Sequence, residues 1–206
     1  MAEATSREAC VERHRRYHID ISGRLGGKGT LQRRRIEAMV APIRSGETVL
    51  DVGCNSGYLI EFLPKGCRCW GVDVAPDLVK KARRRLERAE VAEAEVLPFP
   101  ARSVDVVVLG EIVEHVHDPV VVLREAARVA RRMVVGSTPH EAGKWGSVSV
   151  PHHRFHVRCF TQATLRETLL AAGLGVPAIS IVSHNYVPQM YVFSGKVAGE
   201  VHGTCG

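Results

Sequence analysis

The sequence predicts an α/β protein in which helices cover both faces of a mostly parallel sheet. The first observation is an alternation of short, valine-rich apolar runs, typical of buried strands, with longer segments of helical spacing. The second is a glycine-rich turn at 53–57, directly after the first such run, Thr48–Val52. The third is size, because 206 residues with 45% hydrophobic and 24% charged content suit one globular domain with a real core.

Each element follows in chain order from apolar periodicity and from start and stop signals. A basic face predicts a first helix over 5–20, and the glycines at 23–29 predict a flexible passage after it. The next helix, from about Leu31 to Val40, stops before Pro42 because proline cannot continue a helix. Residues 140–160 show little secondary structure, and loops of that length are usually functional. The further predicted helices follow Gly57 and cover 76–90, 120–131 and 162–172, and the further predicted strands cover 70–74, 104–109, 133–136, 176–182 and 190–197.

The glycine-rich turn is the first candidate for ligand binding. Its small residues, from Gly53 to Gly57, allow a tight turn and a close backbone approach to a ligand. Strand, turn and helix together form the first unit of a nucleotide-binding sheet. Asp73 lies 73 − 51 = 22 positions after Asp51, near the spacing at which a carboxylate reaches ribose hydroxyls. The alternative is that the glycines only shape a turn and that Asp73 caps the next helix.

Charge and composition narrow the classes of partner. The net charge of +6 comes largely from basic clusters at 13–16, 33–35, 80–85 and 131–132, which can attract phosphates but more often form solvated helix faces. The sequence has no stretch of about 18 apolar residues and no signal-peptide core, so we expect a cytoplasmic protein without a membrane partner. Six cysteines without a Cys-x-x-Cys pair argue against a zinc ribbon and a disulfide framework.

The segment from Asp51 to Gly57 resembles motif I of the class I S-adenosylmethionine-dependent methyltransferases. It differs from the dinucleotide fingerprint Gly-x-Gly-x-x-Gly, and Asn55, which tolerates positive φ, replaces the family's middle glycine. The resemblance covers residues 30–197 and implies S-adenosylmethionine as cofactor and a Rossmann-like, three-layer fold with a seven-stranded sheet and an antiparallel final strand. We therefore expect a short N-terminal helical lid at 1–30, a methyltransferase domain at 31–198 and a loose tail at 199–206.

The resemblance also implies which residues bind the cofactor. Residues 92–100 resemble the family segment that ends the third strand and wraps the adenine, with Glu93 at the position that accepts a hydrogen bond from the adenine amino group. A carboxylate beside an apolar wall suits that role, and the alternative is that Glu93 and Glu95 are exposed loop charges. The candidate cofactor-binding residues are Asp51, Gly53, Cys54, Asn55, Gly57, Asp73, Val74, Glu93, Ala94, Gly110 and Glu111.

The candidate catalytic residues follow the strand at 104–109. If a helix begins there, Glu111, Glu114 and His115 share one face at the carboxyl end of a central strand, where open α/β sheets bind ligands. Such a group can bind a hard metal such as Mg²⁺ or Mn²⁺, or a carboxylate can orient His115 as a general base. The other interpretation is a glutamate favoured by the helix dipole beside an ordinary surface pair. His153, within 140–160, is the fourth candidate.

These observations leave two substrate classes open. The first is a small metabolite methylated on a hydroxyl or amine. The second is RNA, because the Glu-x-x-Glu-His pattern at 111–115 and a later histidine are similar to metal-dependent 2′-O-methyltransferases of small-RNA 3′ ends. Residues 157–159 interrupt that family's pattern, and the later histidine could be His152, His153 or His156, so we favour the small molecule and assign no metal ligands. Intact motif I and Asp73 argue against a binding module without chemistry, and the sequence does not set the oligomeric state.

Overall fold

The computed structural model describes residues 6–17, 30–140, 156–184 and 187–197. The predicted tail, most of the predicted 140–160 segment and the passage at 18–29 lie outside the described residues. The helices are α1 (Arg7–Tyr17), α2 (Leu31–Val40), α3 (Pro76–Ala82), α4 (Pro119–Val129) and α5 (Gln162–Ala171), with a short 3₁₀ helix at Tyr58–Phe62. The strands are β1 (Thr48–Val52), β2 (Arg68–Asp73), β3 (Arg88–Val91), β4 (Val104–Gly110), β5 (Ala130–Pro139), β6 (Gly175–His184) and β7 (Val187–Lys196).

The seven strands form one sheet in the order β3-β2-β1-β4-β5-β7-β6. Neighbours from β3 to β5 pair in parallel, whereas β7 is antiparallel to both β5 and β6. The predicted Rossmann-like sheet with an antiparallel final strand is therefore confirmed. The chain moves outward from β1 to β3 and then returns to place β4 on the other side of β1. Ligands in open α/β sheets bind at the carboxyl ends of strands beside such a reversal.

Alternating side chains of β4 belong to the two apolar layers on opposite faces of the sheet. Val106 and Val108 belong to a buried cluster with residues of α2 and the 3₁₀ helix. Val107 and Leu109 belong to a second cluster with residues of α4 and α5. This division follows from the period of two in a strand, and it explains why a central strand reads as a continuous apolar run. A third cluster packs α3 against β2 and β3.

Two helices are shorter than the sequence predicts. The segment after Gly57 forms only the 3₁₀ helix, because Leu63 adopts an extended conformation (φ −70°, ψ 148°) immediately before Pro64. The basic helix ends at Ala82 rather than near residue 90, because residues 88–91 instead pair with β2 as the third strand. Strand pairing thus outweighs the helical propensity of the arginines and leucine at 83–88.

The structure also corrects the predicted helix start at 111. Glu111 has a φ of +57°, and its N–H donates to the carbonyl of Ser137 at 3.0 Å, which continues the contact between β4 and β5. Helix α4 begins only at Pro119, where the side chain of Asp118 accepts from Val120 N and Val121 N. The helical face expected for Glu111, Glu114 and His115 is therefore absent.

The remaining helix signals agree with the structure. Thr30 caps α2, and Thr161 caps α5, which is followed by Gly173 at φ +81°. Among the described residues, no helix is long and apolar enough to cross a membrane.

Candidate functional site

A cavity of about 260 Å³ lies at the carboxyl ends of β1, β2 and β4, beside the point where the strand order reverses. Helix α1 contributes Cys10, Val11 and Arg13 to its wall, and α2 contributes Arg35. Eight sequence-predicted site residues line this cavity: Gly53, Asn55, Asp73, Val74, Ala94, Gly110, Glu111 and His115. The place of this cavity in the sheet is the place where the fold binds ligands.

The motif I turn needs left-handed backbone at three positions. Gly53, Asn55 and Gly57 have φ values of 76°, 51° and 78°. Asparagine is among the few residues other than glycine that adopt this region readily, so Asn55 fits where a middle glycine is usual. A Cβ on Gly53 would also lie 2.3 Å from Cδ1 of Ile112. Cys54 is fully buried in the cluster against α3, so its side chain lies behind the turn.

Asp73 is held in place by two backbone donors. Its Oδ2 accepts from Asn55 N and its Oδ1 accepts from Ala75 N, each at 2.9 Å. The carboxylate therefore joins the motif I turn to the start of α3. Each oxygen has a second lone pair for a further donor, and Asp73 lines the cavity. The two sequence interpretations of Asp73, ligand binding and support of the next helix, are compatible in this geometry.

Asp51 lies behind the cavity wall rather than in it. It is 7% exposed. Burial, and then the charge of Asp73, raises the pKa of Asp51 to about 8, although Arg35 opposes the shift. Motif I therefore carries a carboxyl group that is largely protonated near neutral pH in the ligand-free protein.

The pKa of Asp51 predicts how stability depends on pH. The folded protein keeps a proton that the unfolded chain releases above its ordinary pKa of 3.8, so this carboxyl group lowers the free energy of unfolding as pH rises from about 4 to 8. Asp51→Asn removes that loss, by at most ~1.4 kcal/mol per pH unit. We expect the stability advantage of Asp51→Asn over wild type in urea titrations to grow from pH 5 to pH 8. A constant difference, like that expected for Asp105→Asn, would contradict the assignment.

Arg35 is a site residue that sequence reasoning missed. Its side chain is 2% exposed, donates from Nη1 to Ser137 Oγ at 2.9 Å, and lies with Nε 3.6 Å from Glu111 Oε1. The sequence interpretation grouped it with its neighbours at 33–34 as a solvated helix face. Arg35 precedes Ile36 and stands four positions before Met39, and this spacing already placed it on the apolar face of α2.

Glu93 does not line the described cavity. Its carboxylate accepts from Arg7 Nη2 at 2.6 Å and lies 3.8 Å from Arg15 Nη2. Both arginines belong to α1, which also contributes Cys10 and Val11 to the cavity wall. The residue that the resemblance assigns to adenine therefore fastens α1 beside the cavity.

This contact changes what Glu93 variants should do. If Glu93 mainly holds α1, Glu93→Gln and Glu93→Ala should increase backbone amide exchange in α1 to the same extent, and Arg7→Gln should reproduce the effect. Each should change cofactor affinity by less than ~1 kcal/mol, because partly exposed ion pairs contribute little. If Glu93 instead accepts from adenine, glutamine should be tolerated and alanine should cost about 1 kcal/mol of binding. Calorimetry and hydrogen exchange on the same variants separate the two roles.

The catalytic candidates take different environments. Glu111 lines the cavity beside Arg35. Glu114 is 1% exposed, and burial, followed by the charge of Glu111, raises the pKa of its carboxyl group. His115 lines the cavity, and its ring meets that of His156 edge-on with centroids 4.8 Å apart. His153 lies outside the described residues, so the structure offers His156 as the downstream histidine of this group.

Comparisons with known proteins agree with this geometry. A family model described as a methyltransferase domain matches residues 50–133. A Mycobacterium tuberculosis protein named as a probable S-adenosylmethionine-dependent methyltransferase is 34% identical over 167 residues, covering 79% of this chain and 60% of that protein. The 27-O-demethylrifamycin SV methyltransferase of Amycolatopsis mediterranei is 32% identical over 146 residues, covering 63% and 53%. This chain therefore spans three fifths or less of the length of these relatives.

Solved structures share the fold. Magnesium protoporphyrin IX methyltransferase from Synechocystis, with bound S-adenosylmethionine, superposes with a TM-score of 0.65 and covers 92% of this chain and 97% of that one. The sequence identity is 16%, so this likeness concerns the fold alone.

Proposed function

Because this chain belongs to the class I S-adenosylmethionine-dependent methyltransferase family, we propose that it transfers a methyl group from S-adenosylmethionine to a hydroxyl or amine of a small metabolite. The observation that supports the proposal best is the wall of the cavity. It combines the motif I turn and the Asp73 carboxylate with one buried cation, Arg35. These groups match the ribose and the amino-acid end of the cofactor.

The proposed cofactor placement follows from the chemistry of each wall. The ribose diol donates to Asp73, whose orientation is already fixed by two backbone amides. The carboxylate of the methionyl end pairs with Arg35, because a buried guanidinium in the wall suits a planar anion. The adenine lies towards Leu78, Val74 and Ala94, the apolar part of the wall. This placement leaves His115 and Glu111 for the sulfur and the methyl acceptor.

The reaction asks little covalent chemistry of the chain. The cofactor supplies a methyl group on sulfonium, a good leaving group, and the residues need to bind both partners in line and exclude water. If the acceptor is a hydroxyl, its proton must also leave. Glu111, Glu114 and His115, at the carboxyl end of β4, are the residues that we assign to the acceptor side.

A small acceptor is favoured over RNA by the state of the basic clusters. Arg33 pairs with Glu37 at 2.9 Å, Arg131 with Asp105 at 3.3 Å, and Arg132 with Glu47 at 2.6 Å. Arg85 similarly pairs with Glu61. These partners reduce the phosphate-binding capacity that the sequence suggested. The name of the Amycolatopsis relative also describes O-methylation of a small molecule, which supports a hydroxyl acceptor here.

The test is a calorimetric titration with S-adenosylmethionine and its demethylated product, followed by methyl transfer from labelled cofactor. We expect both ligands to bind at one site and label to appear in small metabolites rather than in RNA when cell extracts of each are supplied. Absence of cofactor binding by the folded protein would contradict the proposal. Label in small RNA would favour the alternative RNA 2′-O-methyltransferase.

A further inference from the structure

Three possible metal-ligating side chains converge beside the cavity, and Glu111 is not among them. One ligand atom each from Glu114, His115 and His156 lies within 4.8 Å of the others. This set differs from the sequence candidates, because Glu111 lies against Arg35 and His156 takes part. Two imidazoles and one carboxylate form a donor set found in catalytic metal sites.

The backbone around the cluster holds its two segments together. Val157 N donates to the Glu114 carbonyl at 2.9 Å. Arg158 Nη2 donates to the carbonyl of Val116 at 3.1 Å and also to that of His117. These bonds tie the segment that carries His156 to the turn that carries Glu114 and His115. The side chains are thus positioned by contacts that do not depend on a bound ligand.

The carboxylate of Glu114 supplies an independent reason for a cation. It is 1% exposed, and among the described residues neither of its oxygens has a hydrogen bond of acceptable geometry. Buried carboxylates are normally paired, hydrogen-bonded or bound to a metal. The nearby cation, Arg35, already contacts Ser137, Gln32 and Glu111. A cation beside His115 and His156 would satisfy Glu114.

We propose that Glu114, His115 and His156 bind one divalent transition-metal ion on the acceptor side of the cavity. The donor set suits Zn²⁺, Co²⁺, Fe²⁺ or Mn²⁺ better than Mg²⁺, which prefers oxygen ligands. Since three protein ligands leave coordination positions open, and His115 lines the cavity, an acceptor oxygen can complete the site.

This inference rests on the proposed methyltransferase function and narrows its substrate to an oxygen acceptor, such as a phenolic or enolic hydroxyl. Binding to the metal lowers the pKa of that hydroxyl, so its proton leaves to solvent. The oxygen then forms the new bond to the methyl carbon as the carbon–sulfur bond breaks and the electron pair returns to sulfur. No oxidant or reductant is required.

The experiment measures metal binding and cofactor binding separately on the full chain. Protein treated with chelator and dialysed is titrated with Co²⁺, observed by its visible absorption, and with Zn²⁺ in competition. We expect one equivalent to bind, and Glu114→Gln and His156→Ala each to weaken binding by at least ~10-fold. His117→Ala is the matched control, because His117 is exposed, next to the cluster and outside it.

S-adenosylmethionine titrations of the same proteins distinguish the two proposals. The metal-free wild type and both ligand variants should bind the cofactor as the loaded wild type does, which also shows that the variants fold. Absence of Co²⁺ binding, or binding that neither variant weakens, would overturn the metal site and leave the methyltransferase proposal standing. Loss of cofactor binding by metal-free wild type would instead count against the cofactor site itself.

Discussion

Asp73→Ala is expected to weaken S-adenosylmethionine binding by ~1.5–3 kcal/mol, the cost of losing charge-assisted hydrogen bonds to the ribose. The expected loss is large because Asp73 is oriented before the ligand arrives, by Asn55 N and Ala75 N. Calorimetric titration of wild type and variant measures the change. The same loss is expected for 5′-methylthioadenosine, which keeps the ribose and lacks the amino-acid end.

The matched control for this prediction is Asp77→Ala. Asp77 is an exposed carboxylate in the first turn of α3, close in sequence to Asp73 and outside the cavity. Its removal tests whether any lost negative charge near this edge weakens binding. Unchanged affinity of a folded Asp73→Ala protein would show that the ribose is held elsewhere.

Arg35→Leu is expected to weaken S-adenosylmethionine binding by a similar ~1.5–3 kcal/mol, because a charge-assisted pair with the cofactor carboxylate is lost. The same variant should bind 5′-methylthioadenosine as wild type does, since that ligand has no carboxylate. Arg35→Lys should lie between them, because an ammonium keeps the charge without the planar fork. Paired titrations with the two ligands read out this difference directly.

The contrast between ligands also guards against a trivial explanation. Arg35 contacts Ser137 and Glu111, so its loss could disturb the cavity as a whole. A general disturbance would weaken both ligands equally, and that result would contradict the carboxylate assignment. Asp73→Ala should affect both ligands and Arg35→Leu only one, so each variant serves as a control for the other.

The sequence by itself determined the framework of the sheet and the motif I turn. Valine-rich runs at 48–52, 104–109 and 133–136 could be recognised because strands buried on both faces need apolar side chains at every position. The turn could be recognised because left-handed backbone restricts Gly53, Asn55 and Gly57 to a few residue types. These are local constraints, and a local constraint is visible in one stretch of sequence.

The tertiary structure decided how the polar side chains of the site are partnered. Arg35 meets Ser137 across 102 positions of sequence, and Glu93 meets Arg7 across 86. The helix expected at Glu111 is replaced by a turn because Glu111 N bonds to the carbonyl of Ser137 on the neighbouring strand. His156, rather than a histidine fixed by motif spacing, meets His115 for the same reason. Periodicity records which side of an element is buried, whereas charged and polar side chains are satisfied by whichever distant groups the completed fold brings near them.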